Sequence, residues 1–394
     1  MIDRQLEREI SILRQEFPII AILGPRQSGK TTLARKQFPE YTYISLEDID
    51  HREFAKNDPR GFLQRYPHHV ILDEIQRVPD LFSYLQTHVD QNNQAGQIVI
   101  TGSHNFLLME RITQSLAGRV GITRLMPFSL FELQDIKQET DEFLFKGFYP
   151  RIYDQMIRPG TFYKNYVSTY IEKDVRQLKQ LTKIDDFTRF IHILAGRNGQ
   201  ELNLSSVSEQ TGVSHTTVRE WISVLEASFL IFRLRPYHKN YNKRVVKNPK
   251  IYFTDPGLVC HLLGIREQSQ IQYHYMRGAL FETLVVTEIL KGNLNSGERF
   301  GIFFWRDHHR KEVDMILEMG QKIFCIEIKS SQTINSTSFK GLNYWRKLAR
   351  VDDPRAILVY AGTESYIREN TLVLGWRDVF SQLMKPVLAP VSEP

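Results

Sequence analysis

The chain has 394 residues, a length that usually folds as two or three domains. Hydrophobic residues are 42% and charged residues 24%, ordinary for a globular protein and enough apolar material for more than one core. The net charge of +6 suits a phosphate-rich partner, and the composition argues against a membrane span or a cysteine-ligated metal site. The two cysteines, Cys260 and Cys325, have no near neighbour at ligand spacing, and residues 1–8 are charged without an apolar stretch. A cytoplasmic protein with no membrane partner is the expectation.

Residues 1–17 place Leu6, Ile10, Leu13 and Phe17 at helical spacing and predict a leading amphipathic helix. The apolar run Ile19–Leu23 ends in glycine and reads as a buried strand, with a helix from about Lys30. Further strands are expected at Tyr41–Leu46, Val70–Glu74, Ile98–Thr101 and near Ile122–Leu125, with helix between them, as at Pro79–Val89. Strands alternating with helices imply a parallel sheet flanked on both faces. After about residue 135 the pattern turns mostly helical, and 205–225 reads as helix, turn, helix. Phe229–Tyr237 and Lys250–Thr254 follow as strands joined by a basic loop. A last region opens with a helix at Gly278–Leu290 and continues as strands at Phe303–Trp305, Val313–Leu317 and Ile323–Ile328. The expected division is 1–135, 136–270 and 271–385, with a frayed, proline-containing tail at 386–394.

Gly24-Pro25-Arg26-Gln27-Ser28-Gly29-Lys30-Thr31, with Thr32 after it, matches the phosphate-binding loop pattern in full. The glycines let successive backbone N–H groups face an anion, and the following helix points its positive end at the same place. Lys30 then reaches the β- and γ-phosphates of ATP, and the Thr31 hydroxyl is a Mg²⁺ ligand. Val70-Ile71-Leu72-Asp73-Glu74 is an apolar strand ending in two acids. Asp73 is the candidate holder of the Mg²⁺ shell and Glu74 the candidate group that orients or deprotonates the attacking water. The strand at 98–101 runs into Gly102-Ser103-His104-Asn105, where Ser103, or else Asn105, is placed to meet the γ-phosphate or its water.

These stretches resemble the AAA+ ATPases. More narrowly, the chain resembles the prokaryotic ATPase family whose P-loop domain precedes a domain of unknown function, DUF4143. Ser115-Leu116-Ala117-Gly118-Arg119, Pro127–Glu132, Tyr252–Leu258, Gly278–Glu282, Trp305–Asp314 and Glu327–Ser330 carry the narrower likeness. The resemblance implies a P-loop sheet, then a helical winged-helix domain and an α+β restriction-endonuclease-like domain. It also implies a homo-oligomer in which an arginine acts in trans, and Arg119 matches that position. The Asn common at the AAA+ sensor position is replaced here, at Ser103.

In the middle part, Val207, Val213, Val218, Trp221, Ile222 and Leu225 form a core face. Ser214, His215, Thr216, Thr217, Arg219 and Glu220 lie opposite, where small polar groups can approach DNA. The loop His238–Lys247 is basic with an interleaved tyrosine, and stands where the wing of a winged helix would. Downstream, Asp314 and then Glu327-Ile328-Lys329 resemble the PD-(D/E)XK nuclease signature. In that reading Asp314 and Glu327 bind Mg²⁺, Glu282 supports them, and Lys329 polarises the attacking water or stabilises the pentavalent phosphate. Three functions stay open on the sequence: an ATP-driven motor on DNA, such as branched DNA in repair or recombination; an ATP-gated nuclease; and a nucleotide switch acting through protein contacts.

Overall fold

The computed structural model describes residues 2–92, 94–103, 111–112, 114–171, 184–238, 246–297, 300–349 and 355–384. His104, Asn105, most of the basic loop (239–245) and the 386–394 tail lie outside the described residues. The chain forms two compact units. The first runs to Phe128 and takes in Ala227–Phe229 and Leu294–Gly297; the second is the remainder.

The first unit is a five-stranded parallel sheet. Its strands are β1 (Ile19–Leu23), β2 (Thr42–Ser45), β3 (Val70–Asp73), β4 (Ile98–Gly102) and β5 (Val120–Arg124), in the order β2-β3-β4-β1-β5. Strand alternation explains the uninterrupted apolar runs. Ile19, Ala21 and Leu23 of β1 join Val70 and Leu72 of β3 and Ile98 and Ile100 of β4 in a core closed by Phe62, Leu81 and Leu85. Ile20, Ile22, Ile71 and Val99 face the other way, against Ile10 and Leu13 of the helix Glu7–Glu16, its N-cap Leu6, and Leu33 of the helix Lys30–Gln37. Because β4 lies between β1 and β3, the carboxyl ends of all three strands meet.

The second unit holds an eight-stranded mixed sheet, ordered β12-β13-β11-β10-β9-β8-β6-β7. These strands are β6 (Ile231–Pro236), β7 (Lys250–Phe253), β8 (Gly301–Arg306), β9 (Glu312–Met319), β10 (Lys322–Lys329), β11 (Arg355–Tyr360), β12 (Tyr366–Arg368) and β13 (Thr371–Gly375). The β6–β7 hairpin exists, but β6 also pairs parallel with β8, so the strands read as a wing form the edge of this sheet. The helix-turn-helix is Leu204–Thr211 and His215–Ala227, turned at Gly212 with φ +74°. Trp221 packs against Phe187 and Phe190 of the helix Ile184–Ala195, while Ser214, His215 and Thr216 are exposed. β10 is covered on both faces, and Glu327 is only 8% exposed.

Candidate functional site: a phosphate loop and an acidic cluster

The loop after β1 is shaped by two glycines. At Gly24, with φ +153°, an added Cβ would stand 2.1 Å from the Leu125 carbonyl oxygen. Gly29 caps the helix Lys30–Gln37 at φ +94°, where a side chain would be strained. Lys30 is 5% exposed, and its Nζ donates to the carbonyls of Gly24 (3.0 Å) and Pro25 (2.8 Å). The ammonium therefore lies within the curve of the loop. Among the described residues, the buried Ser28 hydroxyl and Gln27 Oε1 have no hydrogen-bond partner there. Arg4, which no motif marks, donates to the carbonyls of Ser28 (2.9 Å) and Met126 (2.6 Å) and fixes the loop from behind.

Asp73, at the tip of β3, receives the Thr31 hydroxyl at 3.0 and 3.2 Å. Tyr43 of β2 donates to its Oδ2 at 2.7 Å, and Thr101 of β4 donates to Oδ1. Burial and the Asp73 carboxylate push the Tyr43 phenol up to about 12, so it remains a donor at any ordinary pH. Glu74 has left-handed backbone, φ +54° and ψ +47°, which ends the strand. Its Oε2 accepts from Ser103 Oγ at 3.0 Å and from Gln76 Nε2. Burial alone would raise the Glu74 carboxyl. The Lys30 ammonium, the Gln76 amide, the Arg26 charge and the Ser103 hydroxyl outweigh it and hold the group below the usual range. Glu74 is thus an anionic acceptor at neutral pH.

The structure brings Lys30, Thr31, Asp73, Glu74 and Ser103 together. Ser103 meets Glu74, the carboxylate that would hold the water. The donor set fits the Mg²⁺ that such a fold implies: Thr31 Oγ1 and Asp73 offer hard oxygens at one point beside the phosphate loop. Arg119 lies elsewhere. It pairs with Asp90 on the surface, with its Nη2 2.8 Å from Oδ2. Its carbonyl accepts from Ile19 N at 3.1 Å, at the start of β1, whereas the phosphate loop follows the end of that strand.

Asp314, Glu327, Glu282 and Lys329 lie in the second unit, together with residues the sequence reading missed. Glu282 accepts from Lys250 Nζ at 3.0 Å and from the Tyr252 hydroxyl. Glu312 lies 2.5 Å from the same ammonium. Asp314 Oδ2 accepts the Ile328 N–H at 2.8 Å, and Lys329 Nζ donates to Glu327 Oε1 at 2.5 Å. Burial, and then the charges of Glu327 and Glu282, push the Asp314 carboxyl well up. Burial raises Glu327 too, against the pull of Lys329. Among the described residues no group of three or more His, Cys, Asp or Glu side chains is arranged to hold a metal ion. Lys250 already meets Glu282 and Glu312, and Lys329 meets Glu327, which argues against the Mg²⁺ that the nuclease-like reading calls for. The rings of His308 and His309 lie 3.9 Å apart between centres, tilted at 42° to one another. Burial pushes both thiols up, Cys325 to about 12, which makes them poor nucleophiles.

Three family models match consecutive parts of the chain. An AAA domain covers residues 16–134, a domain of unknown function (DUF8612) 137–269, and a second domain of unknown function (DUF4143) 277–379. The uncharacterized protein Rv2008c of Mycobacterium tuberculosis is 28% identical over 90% of this chain and 79% of its own length. An uncharacterized protein of Haemophilus influenzae is 22% identical over 83% of this chain and 86% of its own. Among solved structures, the Walker-type ATPase paby2304 of Pyrococcus abyssi aligns over 66% of this chain and 96% of its own, at 13% identity and a TM-score of 0.46. Among the described residues no helix is long and apolar enough to cross a membrane. With the parallel sheet ordered around a complete phosphate loop, the chain is a P-loop ATPase in which an AAA domain is followed by a DUF4143 domain.

Proposed function

We propose that the chain hydrolyses Mg²⁺-bound ATP and uses the cycle to remodel DNA, on branched substrates in repair or recombination. The loop N–H groups and Lys30 bind the β- and γ-phosphates. Thr31 and Asp73 hold the Mg²⁺, which when bound neutralises charge on the phosphates. Glu74 accepts a hydrogen bond from the attacking water and takes its proton. The observation that carries this reading is the division of labour at the tip of β3: Asp73 is committed to Thr31, while Glu74 is held by Ser103 and Gln76. In the test, Glu74→Gln binds ATP with Mg²⁺ as the parent does but turns it over roughly 100-fold more slowly. Undiminished turnover removes Glu74 from the mechanism.

The DNA part rests on two features of the second unit. The exposed first turn of the helix His215–Ala227 offers small polar groups. A groove of about 530 Å³ is lined by Arg233, Arg235, His238 and Lys247, with Glu318 also in its wall and Arg233 paired with Glu226. Arginine and lysine side chains along a groove can track a phosphate backbone. On this reading 1–135 is the ATPase part, 136–270 the helical and winged-helix part and 271–385 the nuclease-like part. Forked or four-way DNA should stimulate ATP turnover several-fold, and the stimulation should fall steeply with salt. ATP turnover that ignores every DNA structure tried favours the protein-contact switch instead.

A further inference from the structure

The nuclease-like reading needs a divalent cation between Asp314 and Glu327, with Glu282 in support. The structure keeps a different cation in that cluster. Lys250 is the first residue of β7, paired across the hairpin with Leu234 of β6. Its side chain is only 5% exposed, a setting a lysine tolerates when its charge is matched. Nζ lies 3.0 Å from Glu282 Oε1 and 2.5 Å from Glu312 Oε1. Glu282 belongs to the helix Arg277–Asn295 and Glu312 opens β9, so one ammonium joins three elements. Tyr252, two residues further along β7 and on the same face, donates to the same Glu282 oxygen.

The other carboxylates are engaged through one oxygen each: Asp314 Oδ2 takes the Ile328 N–H, and Glu327 Oε1 takes Lys329. Glu327 Oε2 is buried and has no hydrogen-bond partner among the described residues. A Mg²⁺ ion asks for an octahedral shell of oxygens about 2.0–2.1 Å away, usually with one or two carboxylates among them. Glu282 and Glu312 turn instead toward an ammonium, whose own charge repels a dication brought alongside.

We propose that Lys250 is the resident cation of this acidic cluster. Its ammonium, paired with Glu282 and Glu312, supplies the positive charge that the nuclease-like reading assigns to a metal, and the domain holds its fold around it without taking up a divalent ion and without cutting a phosphodiester. The residue that decides this comes from β7, outside the Asp and Glu-x-Lys pattern, which is why the pattern alone suggests a metal.

The test uses the full chain, without nucleotide, and Mn²⁺ as the probe, followed by electron paramagnetic resonance. Mn²⁺ binding by the parent should be unchanged by Asp314→Asn. Lys250→Met should gain a site at least ten-fold tighter than any in the parent, and Asp314→Asn should abolish that gain. Parent binding that weakens ten-fold or more on Asp314→Asn overturns the proposal. A folded Lys250→Met chain that gains no site overturns it equally. If Lys250→Met does not fold, the comparison of the parent with Asp314→Asn decides alone. Mg²⁺-dependent nicking of plasmid DNA by the parent, lost in Asp314→Ala, is a further overturning result.

Discussion

Glu74 shows how the environment of one carboxyl sets its chemistry. It is buried, which favours the protonated form, yet Lys30, Gln76, Arg26 and Ser103 together favour the anion and prevail. A depressed carboxyl loses its charge only when the pH falls through the lowered value. The acid limb of ATP turnover should therefore lie below about 4.3, the ordinary glutamate value. Ser103→Ala removes one of the donors, at 3.0 Å, and should move that limb toward neutral pH. The pH profile of kcat for Ser103→Ala beside the parent checks this. A Ser103 that only filled space would leave the limb in place. Asp73 and Glu74 were legible because an apolar strand ending in two acids after a phosphate loop is a compact pattern. Tyr43 and Thr101, which complete the Asp73 shell, lie 30 and 28 residues away in sequence. No local spacing marks them; only the strand order brings them in.

At the scale of elements, the loop after β1 depends on backbone approach. Gly24 passes so close to Leu125 that Gly24→Ala must displace the main chain at the end of β5. Its expected effect is a loss of ATP affinity of roughly 100-fold or more, read by nucleotide titration, with the rest of the sheet folded. The helix Arg277–Asn295 poses a different problem. Its Glu288 is fully buried and accepts the N–H groups of Leu130 (2.8 Å) and Phe131 (3.4 Å). Burial pushes this carboxyl up to about 7, although Lys291 pulls the other way. The native state thus binds a proton that the unfolded chain has already released between about 4.3 and 7. Stability contributed by this group is present at the low end of that window and is lost as the pH rises through it. The full loss is on the order of 3 kcal/mol. Glu288→Gln keeps an acceptor oxygen and should flatten the change, measured as the urea midpoint of the second unit between pH 5 and pH 8. The parallel sheet was legible because β1, β3 and β4 are apolar on both faces. The eight-stranded sheet was not, because β6 pairs with β8 nearly 70 residues downstream, and a hairpin next to a helix-turn-helix fits a wing equally well.

Across the molecule, the placement of Arg119 decides how the ATPase would have to assemble. β1 and β5 run parallel, with Ile19 beside Val120 and Leu23 beside Arg124. Arg119 precedes β5 and the phosphate loop follows β1, so the two stand at opposite ends of a five-residue strand, about 16 Å apart along its axis. No rotamer of a surface arginine spans that distance through a packed sheet. In its own subunit Arg119 is engaged with Asp90, an exposed pair of the kind that contributes little to stability and can be given up to a stronger anion. A finger role for Arg119 therefore requires a second copy of the chain, whose phosphate loop would face this end of the sheet. Lys30→Ala subunits retain Arg119 but cannot hold the phosphates, and Arg119→Ala subunits hold them without the finger. Each should be inactive alone. An equal mixture should recover about a quarter of parental turnover, because half the subunits, the Arg119→Ala ones, keep an intact loop and half of those meet a neighbour that supplies the arginine. Recovery should depend on protein concentration, since it needs assembly. If Arg119→Ala alone keeps full turnover, the arginine belongs to the surface and the site is complete within one chain.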